Sequence, residues 1–348
     1  MTQTNDLTRN TPAAALWQRR RFLQLAAGSL AIAPLGILGC GGSNGLTGAS
    51  TGTGAITTTT PGSSGTGGVG TAAPGKTATA GAPSIKVQRS PQQVGIGESM
   101  RIEVTAPLAS GVLIKFRDIN YPMVPVGKDT FWLAVGVPLD ATAGPGTFTA
   151  ASHDSGGGTL VSTESSYQVV AIDRPADYLE LTTEEVATLT QPNAVLEAQL
   201  RGVQFARFDG PVRWSDVFRR PVDGAITTLF GQGRSINGGP VGQFHTGVDL
   251  ANDEGTPVLA SAPGRVAWTG EMPIRGNSVL VDHGGGAKTG YHHLSAIQAN
   301  VGQDVDAGDV VGLVGHTGLA TGPHLHWELT LWGVNVDPMT WLTTRFGP

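Results

Sequence analysis

The sequence predicts a mainly β protein: two small β domains joined by a short helical connector, behind a long stretch with no fold of its own. Three observations carry this. From residue 84 the chain breaks into short runs of alternating apolar and polar residues divided by glycine-rich turns, the signature of half-buried strands. Helix signals are confined to about residues 173–220. Residues 41–83 are almost entirely Gly, Thr, Ser, Ala and Pro, with Lys76 the only charge, and such a composition cannot bury enough apolar surface to fold.

Composition narrows the function classes. The 348 residues suffice for two modest domains. Charged residues are only 14% and the net charge is −5, so nothing points to nucleic acid. A single cysteine, Cys40, excludes an intrachain disulfide.

Residues 1–39 read as an address. Arg19 and Arg20, followed by Arg21, Phe22 and Leu23, resemble a twin-arginine export signal. The apolar stretch 25–38 is too short for a stable membrane span and fits the apolar region of a secretory signal. It ends in Ile37-Leu38-Gly39-Cys40, which resembles a bacterial lipobox. The expectation is a lipidated Cys40 that ties the chain to a membrane of the cell envelope, on the periplasmic side. Residues 40–83 then form a tether, spanning roughly 35–40 Å on average as a flexible coil.

Residues 84–172 carry the first β pattern. Met100, Ile102 and Val104 alternate with Arg101, Glu103 and Thr105, and the runs "GVLIKF", "TFWLAVGVPL", "GTFTAAS" and "SYQVVAI" follow. Short strands at this spacing predict a small, Ig-like β-sandwich. His153 is isolated in a turn and reads as a solvated loop residue. In residues 173–220, Thr182 with Glu185 three residues on forms a capping box, and "NAVLEAQLRGVQFARF" continues as a second helical stretch.

Residues 221–348 hold the chemistry. Along "GPHLHWEL", residues 322–329, side chains alternate faces. Leu325, Trp327 and Leu329 point one way, and His324, His326 and Glu328 the other. Packing alone gives no reason for two imidazoles and a carboxylate on one face. A catalytic zinc takes three protein ligands from His, Asp or Glu and keeps an open position. His245, Asp249 and one histidine of the His-x-His pair supply such a set; only one ring need bind metal, leaving the other for substrate. His-Glu-x-x-His does not occur, so no zincin-type helix base is on offer.

"HTGVD", "YHHLS" and "TGPHLHWEL", with the turns "APGRVAWTG" and "GNSVLVDHGGG", resemble the lysostaphin/LytM-type zinc endopeptidases of bacterial cell walls. The likeness covers about residues 221–340. It implies a small antiparallel β domain with an open groove, one Zn²⁺ per chain held by His245, Asp249 and His326, and His293 and His324 as the catalytic pair. His292 falls at a variable position of the motif, and His283 and His316 lie in turns, structural or exposed. Glu328 shares the ligand face and is placed for a supporting hydrogen bond; Arg234, in "FGQGR", is placed to line the groove. The implied substrate is a peptide stem or cross-link of peptidoglycan.

Two other readings compete. A catalytically silent relative would act as a regulator, with a cell-wall amidase or division-machinery partner; in such relatives the His and Asp positions are replaced, and here all five are filled. A metal-carrying lipoprotein would need His-x-His but neither the separate His293 nor the glycine turns.

Overall fold

The computed structural model describes residues 82–205, 208 and 210–348. The expectations for Arg19, Arg20, Cys40 and almost all of the linker lie outside the described residues. What is described is mainly β, in agreement with the sequence.

Alternation builds the first domain. Met100, Ile102 and Val104 lie on strand Ser99–Thr105 and are fully buried. That strand sits in a sheet with Lys86–Ser90, Thr130–Gly136 and Val124–Gly127. A second sheet orders Gln93–Gly95, Thr159–Val170, Gly144–His153, Gly111–Phe116 and Ile119–Pro122. Ile102 and Leu133 from one sheet meet Ile114, Ala150 and Val169 from the other in a single apolar core, which makes a sandwich. His153 is the last residue of a strand rather than a turn residue, because the pairing with Thr159 runs one step past the alternating run.

The connector holds two helices, α1 (Thr183–Thr188) and α2 (Gln191–Phe205). Thr182 caps α1: its hydroxyl accepts from Glu185 N and its own N–H donates to Glu185 Oε2. The connector is not helical throughout. Asp177–Leu179 pairs in parallel with Arg234–Ile236, so it is stitched into the second domain. Three residues are too few to show a strand period, which is why no sequence signal announced them.

The second domain is one antiparallel sheet, ordered Ala225–Thr228, Val248–Ala251, His324–Leu331, Ala287–Leu294, Gly276–Gly284, Gly264–Met272 and Asp304–Val305. A smaller sheet of Pro257–Leu259, Val310–Leu313 and Ala296–Ile297 accompanies it. Val248, Leu250, Tyr291, Leu325 and Trp327 share one core with Val258, Val311 and Val314. The two domains share a third cluster, in which Trp132 of the sandwich meets Trp214, Phe218 and Trp341. Two of its indoles are hydrogen-bonded: Trp132 Nε1 donates to the Phe346 carbonyl (2.8 Å) and Trp341 Nε1 to Ser99 Oγ (2.9 Å).

His283 belongs to this scaffold. It is fully buried, with Nδ1 donating to the Pro263 carbonyl and Nε2 accepting from Thr289 Oγ1, both at 2.8 Å. Burial lowers its pKa to about 4, against about 6.5 in the unfolded chain. Between those values the unfolded state binds the proton and the native state does not. Stability is therefore complete above pH 6.5 and falls as the pH drops toward 4, by about 3 kcal/mol for this group. Urea midpoints at pH 7 and pH 4.5 are expected to differ, and His283→Gln, which can keep both hydrogen bonds, is expected to narrow the gap. An unchanged gap in that variant assigns the acid sensitivity elsewhere.

Candidate active site

Register puts the chemistry on one face. Across the antiparallel pairs, Asp249 stands opposite His326, and His326 opposite His292. Directly opposed residues share a face. The other face, Val248, Leu250, Leu325 and Trp327, is core. Gly247 makes room for the site: a Cβ there would lie 2.5 Å from the Trp327 carbonyl oxygen and 2.8 Å from His326 Cε1.

Three donor atoms converge. His245 Nε2 is 3.0 Å from Asp249 Oδ1 and 2.9 Å from His326 Nδ1, and His326 Nδ1 is 2.8 Å from Asp249 Oδ1. All three residues are buried. His245 Nδ1 donates to the Leu229 carbonyl at 3.0 Å, so its Nε2 presents a lone pair to the triangle. Burial holds His326 well below its ordinary pKa, leaving the neutral form that binds metals. Lone pairs of two imidazoles and a carboxylate packed this closely repel unless a metal ion or a ring proton lies among them. Two nitrogens and one oxygen are the donor set of a catalytic zinc with its fourth position open, so the residues present fit that metal. Among the described residues, this is the group of His, Cys, Asp and Glu side chains able to hold a metal ion.

A second pair faces the first. The rings of His293 and His324 are 4.8 Å apart, and His293 is 5.9 Å from His326. His293 Nδ1 donates to the Thr317 carbonyl and His324 Nδ1 to the Gly322 carbonyl, both at 2.8 Å. Each is thereby anchored through Nδ1, and His324 Nε2 lies 3.8 Å from Asp249 Oδ1. Burial, helped by the neighbouring His324, lowers His293 to about 3, so it is neutral near pH 7. The backbone of His293 is left-handed, with φ 60°, a conformation that costs a residue with a side chain about 1–2 kcal/mol. A cleft of ≈ 880 Å³ opens over all five residues. The connector lines one side of it with Leu179, Leu181, Leu189 and Ala194, and the 319–323 loop lines another.

The remaining expectations divide. Arg234 lines the cleft and also reaches Asp249 Oδ2 at 3.2 Å and Asp177 at 3.6 Å, which leaves Oδ1 turned to the two imidazoles. Glu328 shares the face but touches no member of the triangle; it bonds Arg201, Arg275 and Asn335 and lies 2.6 Å from His292 Nε2. His292, set aside at a variable motif position, is fully buried on the ligand face, its ring 5.5 Å from His326. His316 is exposed and paired with Glu254. Two neighbouring residues on a strand ordinarily face opposite ways; with the left-handed backbone at His293, that residue lines the cleft while His292 stays buried against Ser278 and Glu328.

The model of peptidase family M23 matches residues 243–338. The DD-carboxypeptidase/endopeptidase Mpg of Neisseria meningitidis is 45% identical over 98 residues, covering 28% of this chain and 23% of that protein. The peptidoglycan DD-endopeptidase ShyA of Vibrio cholerae is 46% identical over 95 residues, covering 27% of this chain and 22% of its own length. The chain thus spans less than a quarter of these curated relatives. A solved structure from Pseudomonas aeruginosa described as a peptidase M23 superposes with a TM-score of 0.50 at 26% identity, covering 74% of this chain and 92% of that one. That likeness extends well beyond the residues matched by the family model.

Proposed function

We propose, from the premise that residues 243–338 are a peptidase family M23 domain, that this chain is a zinc-dependent endopeptidase that hydrolyses the peptide cross-links or stems of peptidoglycan. One observation carries the reading: three buried metal-type donors within 3.0 Å of one another, faced across a cleft by the imidazoles of His293 and His324. His245, Asp249 and His326 would hold one zinc ion. Zinc there supplies Lewis acidity to a scissile carbonyl and to a water.

The rest is the work of the chain. His293 and His324 take up the proton released by the attacking water and return it to the leaving amine, work that contributes roughly 10²–10⁴-fold. Their Nδ1–H bonds to fixed carbonyls keep Nε2 aimed at the reaction. The cleft above these residues would take a peptide. The names of the relatives support a D,D cross-link as the bond. The motifs at Arg19, Arg20 and Cys40 support twin-arginine export and lipid anchoring in the cell envelope.

The test is a digest of diaminopimelate-type peptidoglycan by the whole chain, read by mass spectrometry. Cross-linked dimers are expected to disappear, a zinc chelator to stop the loss, and added zinc to restore it. A muropeptide profile unchanged in both cross-links and stems by a zinc-loaded chain would overturn the enzyme reading in favour of the silent regulator.

A further inference from the structure

We infer that helix α2 of the connector is part of the catalytic apparatus, and that Glu197 on it is a positioning residue for the metal centre and for His293. The inference rests on the endopeptidase reading above and concerns how its site is held in place.

Glu197, Arg201 and Phe205 recur every four residues on α2 and so form one stripe. Phe205 packs against Met272 and Leu280 of the second domain. The other two enter a buried charge network. Glu197 Oε2 accepts from Ile274 N (2.7 Å) and Arg275 N (3.1 Å), and its Oε1 pairs with Arg275 Nη1. Arg201 grips Glu328 with two nitrogens, Nη2 at 2.9 Å from Oε2. Arg275 Nε joins the same carboxylate at 3.1 Å. Glu197, Arg275 and Glu328 thus form a chain of alternating charge, closed by Arg201.

Two members of that chain, Arg275 and Glu328, touch the site. The Arg275 carbonyl accepts from His293 N at 2.9 Å, which secures the residue held at φ 60°. Arg275 Nη2 donates to Thr246 Oγ1 at 2.8 Å, next in sequence to His245. Glu328 lies two residues from His326 on the same face and 2.6 Å from His292 Nε2. Asn335 Nδ2 ties Glu328 to the Thr246 carbonyl, at 2.6 and 3.1 Å. Gly290, opposite Glu328, is what admits the network: a Cβ there would lie 2.4 Å from His292 Nε2 and 2.9 Å from Glu328 Cγ.

A docking helix needs none of this. Buried ion pairs seldom add stability over apolar packing of the same volume, and Phe205 already supplies apolar docking. What charges add is direction. By gripping two consecutive amides and a guanidinium, Glu197 fixes the 274–275 turn, and through it the angle of His293 and the place of Thr246. Partners behind metal ligands typically matter 10–100-fold in affinity or activity.

The test uses the whole chain loaded with Co²⁺ in place of zinc, with Glu197→Ala, Glu197→Gln and Phe205→Ala compared. Glu197→Ala is expected to change the visible absorption of bound Co²⁺, to weaken Co²⁺ affinity about 10–100-fold and to lower kcat with KM little changed. Glu197→Gln, which keeps an oxygen for the two amides, is expected to recover part of each. Phe205→Ala is expected to lower Tm and leave the Co²⁺ spectrum as in the wild type. If Glu197→Ala and Phe205→Ala both shift only Tm, α2 is a structural prop and the inference fails. If Glu197→Ala raises activity, α2 is a cover over the cleft and the inference fails. A wild-type chain that takes up no Co²⁺ overturns the metal-centre reading, and this one with it.

Discussion

His326→Ala leaves the chain without zinc, whereas His293→Ala keeps the metal, and both variants lose cleavage of cross-linked peptidoglycan. The difference follows from where each ring points. His326 Nδ1 is one corner of the donor triangle, 2.8 Å from Asp249 Oδ1 and 2.9 Å from His245 Nε2. Truncating it leaves two protein donors, too few for a catalytic zinc site. His293 stands outside the triangle, with its ring 4.8 Å from that of His324 and its Nδ1 bound to the Thr317 carbonyl. Its loss spares the donors and removes a proton carrier, for roughly 10²–10⁴-fold in kcat. Metal content by mass spectrometry, beside muropeptide turnover for both variants, checks this. Equal metal loss in the two would overturn the division of roles.

Arg275→Met destabilises the fold by about 3–5 kcal/mol, the usual cost of stripping one partner from a buried ionic network. Arg275 bonds both Glu197 and Glu328, and both carboxylates are buried. Burial opposes the charge on Glu328, yet Arg201 and Arg275 together hold its pKa well below the ordinary range. Methionine fills similar space and leaves two buried carboxylates to Arg201 alone. At roughly 2–4 °C per kcal/mol for a domain of this size, Tm falls by about 6–20 °C, which differential scanning calorimetry would read. A loss below about 1 kcal/mol would mean that the network is open to water.

Much of this was legible before any coordinates. Alternation alone placed Leu325 and Trp327 in the core and His324, His326 and Glu328 on the opposite face, because period two is a property of neighbours along one strand. The Thr182–Glu185 capping box is likewise local, closed within three residues. The family resemblance separated the ligand candidates from the other histidines, and the structure draws His245, Asp249 and His326 together from positions 77 and 81 residues apart.

The local code stops where partners are remote. His283 and His292 look alike in sequence, each at the end of a strand-like run. One is locked to Pro263 and Thr289 in the scaffold, and the other lies against Glu328 on the ligand face. Nothing near Glu328 names Arg201, which comes from a helix 127 residues earlier. The three-residue strand that stitches the connector to Arg234–Ile236 carries no period at all. By itself the sequence determined which residues share a face of a strand, where the first helix is capped and which residue types could bind metal, since all of these depend on neighbours in the chain. The tertiary structure alone decided which imidazole nitrogen faces the metal, which histidines serve the scaffold and which helix braces the site, because those depend on strand register and on contacts closed across more than a hundred residues.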